Sequence, residues 1–134
     1  MTMTMNEAEI ERIATGFCDH SLRKEEWTHA AHFSTALWLM MKRPDVNPER
    51  DMPDMIRRYN ESVGGVNSDT SGYHETITQA SLRAARALIA TLPADAGVAE
   101  AFAALMASPL GDKDWPFAHW TRERLMSVEA RRAW

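Results

Sequence analysis

Three histidines, His29, His32 and His74, are the side chains in this sequence that are best suited to chemistry. Residues three positions apart on a helix share a face, so the imidazoles of His29 and His32 can reach one point. A third imidazole from another helix would complete three nitrogen ligands, which is the ligand set of many catalytic zinc sites. The spacing therefore predicts that these three histidines bind a divalent metal, with zinc, iron, manganese and nickel as the candidates.

The side chains predicted to take part in catalysis are His74, Glu75, Asn60 and Thr78. Glu75 is the carboxylate nearest to His74 in sequence, and two histidines with one carboxylate would suit iron, zinc or manganese. On a helical wheel, however, Glu75 lies about 100° from His74, toward the polar face. We therefore expect Glu75 to orient a metal-bound imidazole, with stabilisation of the helix N-terminus as the alternative role.

Two other interpretations use the same residues without a metal. In one, His74 or His29 acts as a general base that Glu75 or Asn60 orients. No nucleophile stands out for such a reaction, because Cys18 falls where a small buried residue is expected. In the other, the histidines form a structural hydrogen-bond network in a non-catalytic module that binds a small molecule or a protein. The sequence thus predicts a small enzyme of unknown substrate with a buried histidine-rich site, and leaves the binding module open.

The elements that must position these residues are predicted to be helices. Six prolines divide the sequence into segments rich in helix-forming residues, and no alternating run of β-branched residues is long enough for a strand. We predict an all-α, single-domain bundle of about five main helices over residues 1–134, ending in a short helical tail. The helices are expected to begin at Asn6, at about Glu25 or Thr28, near Met52 and Pro53, at about Tyr73 and at about Asp95, and the tail has Ser127 as a helix N-cap.

Helical wheels direct several of these polar side chains into the protein. His29 and His32 lie in the apolar stripe of the second predicted helix, whose opposite face carries no charge, so we expect this helix to be buried on most sides. Asn60 and Thr78 also point inward. An unpaired buried polar group costs about 1–3 kcal/mol, so we expect Asn60 to hydrogen-bond to an inward histidine or to the loop of residues 67–72.

The composition disfavours several classes of partner. The chain has 134 residues, of which 45% are hydrophobic, and a formal net charge of −4, which disfavours nucleic acid as a partner. Cys18 is the only cysteine, so neither an internal disulfide nor a cysteine-rich zinc site can form. No segment approaches the length of a membrane span, and residues 1–5 lack the pattern of a signal peptide. We therefore expect a cytoplasmic protein that acts on or binds a small molecule.

Three stretches of the sequence resemble a family of small bacterial all-helical proteins for which no activity is assigned. They are E-W-T-H-A-A-H at 26–32, Y-N at 59–60 with G-Y-H-E-T-I-T at 72–78, and the segment from W-T-R to A-R at 120–131. The family pattern is roughly W/F-T-H-x-x-H, Y-N, G-Y-H-E-T-I-T and W/Y-S-x-x-x-L-x-S-x-x-A-R. Position 121 is threonine where the family usually has serine, and a Pro-Asp-Leu tail that tends to follow the last arginine is expected to be missing here. The residues that the resemblance marks as important are Thr28, His29, His32, Tyr59, Asn60, Tyr73, His74, Glu75, Thr76 and Thr78.

Overall fold

The protein consists of α-helices joined by short turns and loops. A computed structural model describes residues 5–133, and within this range it contains no strand, which confirms the predicted all-α class. Most of the N-terminal stretch considered for a signal peptide, and Trp134 at the end of the predicted domain, lie outside the described residues. The helices are α1 (Glu7–Asp19), α2 (His29–Lys42), α3 (Pro48–Ser62), α4 (Glu75–Ala90), α5 (Val98–Ala107), α6 (Arg122–Leu125) and α7 (Val128–Arg132).

Local capping residues determine where several helices begin. The Asn6 side chain accepts a hydrogen bond from the backbone N–H of Glu9 at 2.8 Å, which starts α1 as predicted. The Thr28 hydroxyl accepts an equivalent hydrogen bond from a backbone N–H at the start of α2, and the Ser127 hydroxyl accepts one at the start of α7. The predicted starts at Asn6 and Ser127 are confirmed, and of the two starts expected for α2 the structure selects Thr28. The donor and the acceptor of each cap lie within three residues of each other in the sequence.

Helix α2 is the central element of the bundle. All seven residues from Phe33 to Leu39 are buried, and the helix packs against α1, α3, α4 and α5. One polar residue in this run is Ser34, and its hydroxyl donates a hydrogen bond to the carbonyl of Ala31 at 3.1 Å. The expectation that α2 is buried on most sides is confirmed, and its position explains why residues at its N-terminal end can face an internal cavity.

Helix α3 begins a full turn before the predicted start near Met52 and Pro53. Its N-cap is Asn47, whose side chain accepts from the backbone N–H of Arg50 at 3.2 Å. Pro53 therefore lies inside the helix, where it cannot donate to the carbonyl of Glu49. The Gln79 side chain on α4 donates to that carbonyl at 3.0 Å, so a contact with a neighbouring helix satisfies the group that the proline leaves free.

Two further helix starts differ from the predictions. Helix α4 begins at Glu75 rather than Tyr73, with His74 as its N-cap, and α5 begins at Val98 after Gly97 rather than at Asp95. The residues before α5 form a separate turn after Pro93, which removes Asp95 from the capping position. Across residues 5–133, no helix combines the length and the apolar composition that a membrane span requires.

Candidate functional site

Both ring nitrogens of His74 are used to hold the fold together. Nδ1 accepts a hydrogen bond from the backbone N–H of Ile77 at 3.1 Å, which caps α4. Nε2 lies 2.6 Å from the carbonyl oxygen of Leu125, and because a carbonyl can only accept, Nε2 must carry the proton. Burial, above all, lowers the pKa of His74. The ring is therefore a neutral tautomer with no free lone pair for a metal.

The residues around His74 fasten the C-terminal segment to the start of α4. The hydroxyl of Thr76 donates to the carbonyl of Ala130 at 2.6 Å. From the other side, the Arg131 guanidinium donates to the carbonyls of Gly72 at 3.0 Å and Tyr73 at 3.2 Å. The G-Y-H-E-T-I-T stretch thus anchors α6 and α7, which is a structural role for residues that the sequence marked as functional.

Asn67, which the sequence analysis did not single out, organises the loop between α3 and α4. Its Oδ1 accepts from the Asn60 side chain at 3.0 Å and from the backbone N–H of Tyr73 at 3.1 Å, while its Nδ2 donates to the carbonyl of Arg57 at 3.0 Å. The expected hydrogen bond from Asn60 to this loop is confirmed. Gly72 has a φ of +80°, and a Cβ atom there would lie 2.6 Å from Asn67 Oδ1, so the network requires glycine at this position.

Glu75 holds a phenol rather than the imidazole that we expected it to orient. Its carboxylate accepts the hydroxyl proton of Tyr73. Burial of the phenol, and then this hydrogen bond, raise the pKa of Tyr73. The guanidinium carbon of Arg57 lies 4.2 Å from the centre of the Tyr73 ring. The imidazole of His74 is instead oriented by backbone groups, as described above.

His29 and His32 lie one turn apart at the start of α2, and they differ in their contacts. His29 Nε2 lies 2.8 Å from the carbonyl oxygen of Leu110, so this nitrogen is the donor, and the ring meets Phe33 edge to face. The His32 ring lies against Trp27, with 4.1 Å between the ring centres. Burial, and to a smaller extent the neighbouring His29, lower the pKa of His32 to about 4. By accessible surface, however, His32 is exposed rather than buried as the helical wheel predicted, and it lines a cavity.

The three imidazoles predicted to bind a metal do not converge on one point. Within residues 5–133, no three histidine, cysteine, aspartate or glutamate side chains are placed to hold a metal ion. The helical wheel treated His74 as a helical residue, whereas it is an N-cap with extended backbone angles, φ −133° and ψ 110°. Its side chain therefore turns back onto the first turn of α4, and only His29 and His32 remain side by side.

A cavity of about 140 Å³ lies beside these two histidines. It is enclosed by α2, α3, α4 and the segment from Lys113 to Leu125. Besides the two imidazoles, its polar lining consists of Thr78, Ser81 and Lys113. The apolar side chains that line it are Trp27, Phe33, Ala36, Met52, Ile56, Ile77, Leu82, Trp115, Pro116, Phe117 and Leu125. The cavity is therefore an apolar chamber with a few polar groups, which is the usual composition of a small-molecule site.

A second, more open cavity of about 510 Å³ shares His32 and other lining residues with the first. The residues that line both cavities are Trp27, His32, Ile56, Ile77 and Thr78. Among the predicted catalytic residues, Asn60 and His74 line the second cavity, Thr78 lines both, and Glu75 lines neither. His32 is thus the histidine that faces both spaces.

Comparison with known proteins leaves the interpretation of this site to its geometry. No family profile, no curated protein and no solved structure matches the chain. The family resemblance of the three motifs stays a prediction. The contacts described above are therefore the basis for the functional proposal.

Proposed function

We propose that the protein binds a small, largely apolar organic molecule in the 140 Å³ cavity, with the His32 imidazole as its polar contact. The observation that carries this proposal is the combination of aromatic and aliphatic walls with an accessible imidazole. His74 is held at both nitrogens, and His29 is held at Nε2. His32, by contrast, is exposed, and it is the histidine that lines both cavities.

The size of the cavity indicates the size of the ligand. A cavity of about 150 Å³ lined by apolar side chains is large enough to bind benzene. The cavity beside His32, at about 140 Å³, therefore fits one ring or a branched aliphatic group of similar volume. Any larger part of a ligand would extend toward the segment that begins at Lys113 or past His32 into the second cavity.

The protonation state of His32 favours binding over base catalysis. With its pKa lowered to about 4, the ring is neutral at physiological pH and offers one N–H donor and one nitrogen acceptor. A general base works best when its pKa lies near the working pH, so this imidazole is a weak base but a good hydrogen-bond partner. Cys18 lines neither cavity, and burial raises the pKa of its thiol, which makes it a poor nucleophile.

Ligand titration of cavity variants tests the proposal. Toluene and benzyl alcohol are suitable probes, and their binding can be followed by the indole N–H signals of Trp27 and Trp115. Ser81→Leu, which fills the cavity, should abolish binding, whereas the same residue placed on the exposed face of α4 by Ala87→Leu should not. Equal binding by both variants, or no binding of either probe to the unmodified protein, would contradict the proposal.

Replacement of the imidazole separates the polar contact from the apolar one. His32→Phe keeps a ring in the same place but removes its hydrogen-bonding atoms. A net hydrogen bond of about 0.5–1.5 kcal/mol corresponds to a loss of roughly 2–13-fold in affinity for benzyl alcohol. Toluene should bind this variant as well as it binds the unmodified protein, and a parallel loss for both probes would exclude His32 as a polar contact.

A second candidate function is a metal-dependent enzyme that uses His29 and His32. The observation in its favour is that both imidazoles line the same cavity one turn apart. Because catalytic zinc sites use three protein ligands, this candidate needs a further donor beyond these two residues. Elemental analysis of the purified protein tests it: stoichiometric metal that is lost in both His29→Gln and His32→Gln would support the enzyme, and metal that both variants retain would contradict it.

A further inference from the structure

The walls of the two cavities have a charge composition opposite to that of the whole chain. Aspartate and glutamate number 19 against 15 lysines and arginines, so acidic residues are in excess overall. None of the acidic side chains lines either cavity. The first cavity is lined by one permanently charged group, the ammonium of Lys113, and the second by that of Lys24. This distribution is selective for the charge of a ligand.

The first cavity provides for one negative charge at its edge. An isolated carboxylate is not buried in an apolar cavity without a partner, because the loss of hydration is too costly. Lys113 is exposed and is one of the residues that line the cavity, so its ammonium can meet a ligand on the solvent side. Its long side chain can lie along the apolar wall while the charged end remains hydrated. A ligand can therefore keep its ring inside and its carboxylate at Lys113.

We infer that the ligand of this cavity is a small monocarboxylate with a single ring, or with a branched aliphatic group of similar volume. The inference rests on the proposed function and adds the chemical class of the ligand. One cation and no guanidinium line the cavity, which matches one negative charge and disfavours a dianionic phosphate ester. The absence of carboxylates from the lining disfavours amines, since a buried ammonium would have no counter-charge.

Three probes of the same ring size test this inference on the full chain by isothermal titration at low salt. They are benzoate, benzyl alcohol and benzylamine. Because ion pairs with an exposed lysine are weak, we expect benzoate to bind about three- to fivefold more tightly than benzyl alcohol, and benzylamine to bind more weakly than either. The advantage of benzoate should decrease as salt is added, whereas the affinity for benzyl alcohol should stay constant.

A matched pair of lysine variants locates the charge. Lys113→Gln should remove the advantage of benzoate and leave benzyl alcohol unaffected, whereas Lys24→Gln, at the second cavity, should change neither affinity. Equal affinities for benzoate and benzyl alcohol, or a loss for benzoate only in Lys24→Gln, would overturn the inference while the proposed function stands. If none of the three probes binds, the inference and the proposed function both fail.

Discussion

The substitution His74→Asn separates the two structural contacts of this imidazole. Asparagine is among the best N-cap residues, so its side chain can still accept from the backbone N–H of Ile77 and start α4. The shorter side chain cannot reach the carbonyl of Leu125, which His74 Nε2 contacts at 2.6 Å. The variant therefore removes the contact that fastens α6 and keeps the helix cap.

The expected cost follows from the burial of the group that loses its partner. Leu125 is 1% exposed, so water does not readily replace the lost donor at its carbonyl. A buried polar group left unpaired costs about 1–3 kcal/mol, and this is the loss that we expect in the free energy of unfolding for His74→Asn. His74→Ala also loses the cap, which adds about 1 kcal/mol. Asn47→Ala, which removes only the cap of α3, is the control.

Urea denaturation measures the free energies, and amide hydrogen exchange localises the effect. Exchange in residues 122–133 should become faster in His74→Asn, while exchange in α1 and α2 should change only as far as global stability does. If His74→Asn is as stable as the unmodified protein to within about 0.5 kcal/mol, the usual range of a neutral surface substitution, the bond to Leu125 does not stabilise the fold. If the unmodified protein carries stoichiometric metal that this variant loses, His74 is a metal ligand and not only a structural residue.

Three further predictions concern stability. Burial lowers the pKa of both His32 and His74 below the unfolded value near 6.5, so at acidic pH the unfolded chain binds more protons than the folded protein. The urea midpoint should therefore be constant above about pH 6.5 and fall as the pH decreases toward 4. A flat profile would contradict this prediction. Asn60→Leu should lose about 1–3 kcal/mol in chemical denaturation, because it removes a donor from the loop between α3 and α4, and an unchanged midpoint would show that this bond is dispensable. Gln79→Leu should cost about 1 kcal/mol in the same measurement by leaving the Glu49 carbonyl unpaired, and a neutral result would mean that water replaces the amide.

Features that depend on neighbours in the chain could be predicted from the sequence. The caps at Asn6, Thr28 and Ser127 involve a side chain and an N–H three residues apart, so the residue type and the position were sufficient. The burial of α2 followed from its uncharged faces. The need of Asn60 for a polar partner was also evident, because it interrupts an apolar stripe, but the loop was only one of the partners that the sequence left open.

The sequence-based predictions were wrong or incomplete where a hydrogen bond joins two distant parts of the chain. Pro53 was predicted near the start of a helix because proline is unfavourable inside one, but Gln79 from another helix supplies the donor that the proline lacks. Asn67 carried no helical periodicity, and its side-chain hydrogen bonds exist only because the loop folds back on α3. The one sequence signal for the role of Asn67 was its position as a polar residue in a loop rich in glycine and serine.

The all-α class and the local helix caps follow from residue types and their spacing along the chain. The role of each histidine depends on contacts between distant parts of the chain. His29 bonds to a carbonyl 81 residues away and His74 to one 51 residues away, whereas His32 lines both cavities. Every residue carries a backbone carbonyl, so no residue type or spacing marks the one that a distant imidazole will meet. Which carbonyl each imidazole meets depends on how the turn at Leu110 lies against the start of α2 and how α6 lies against the start of α4.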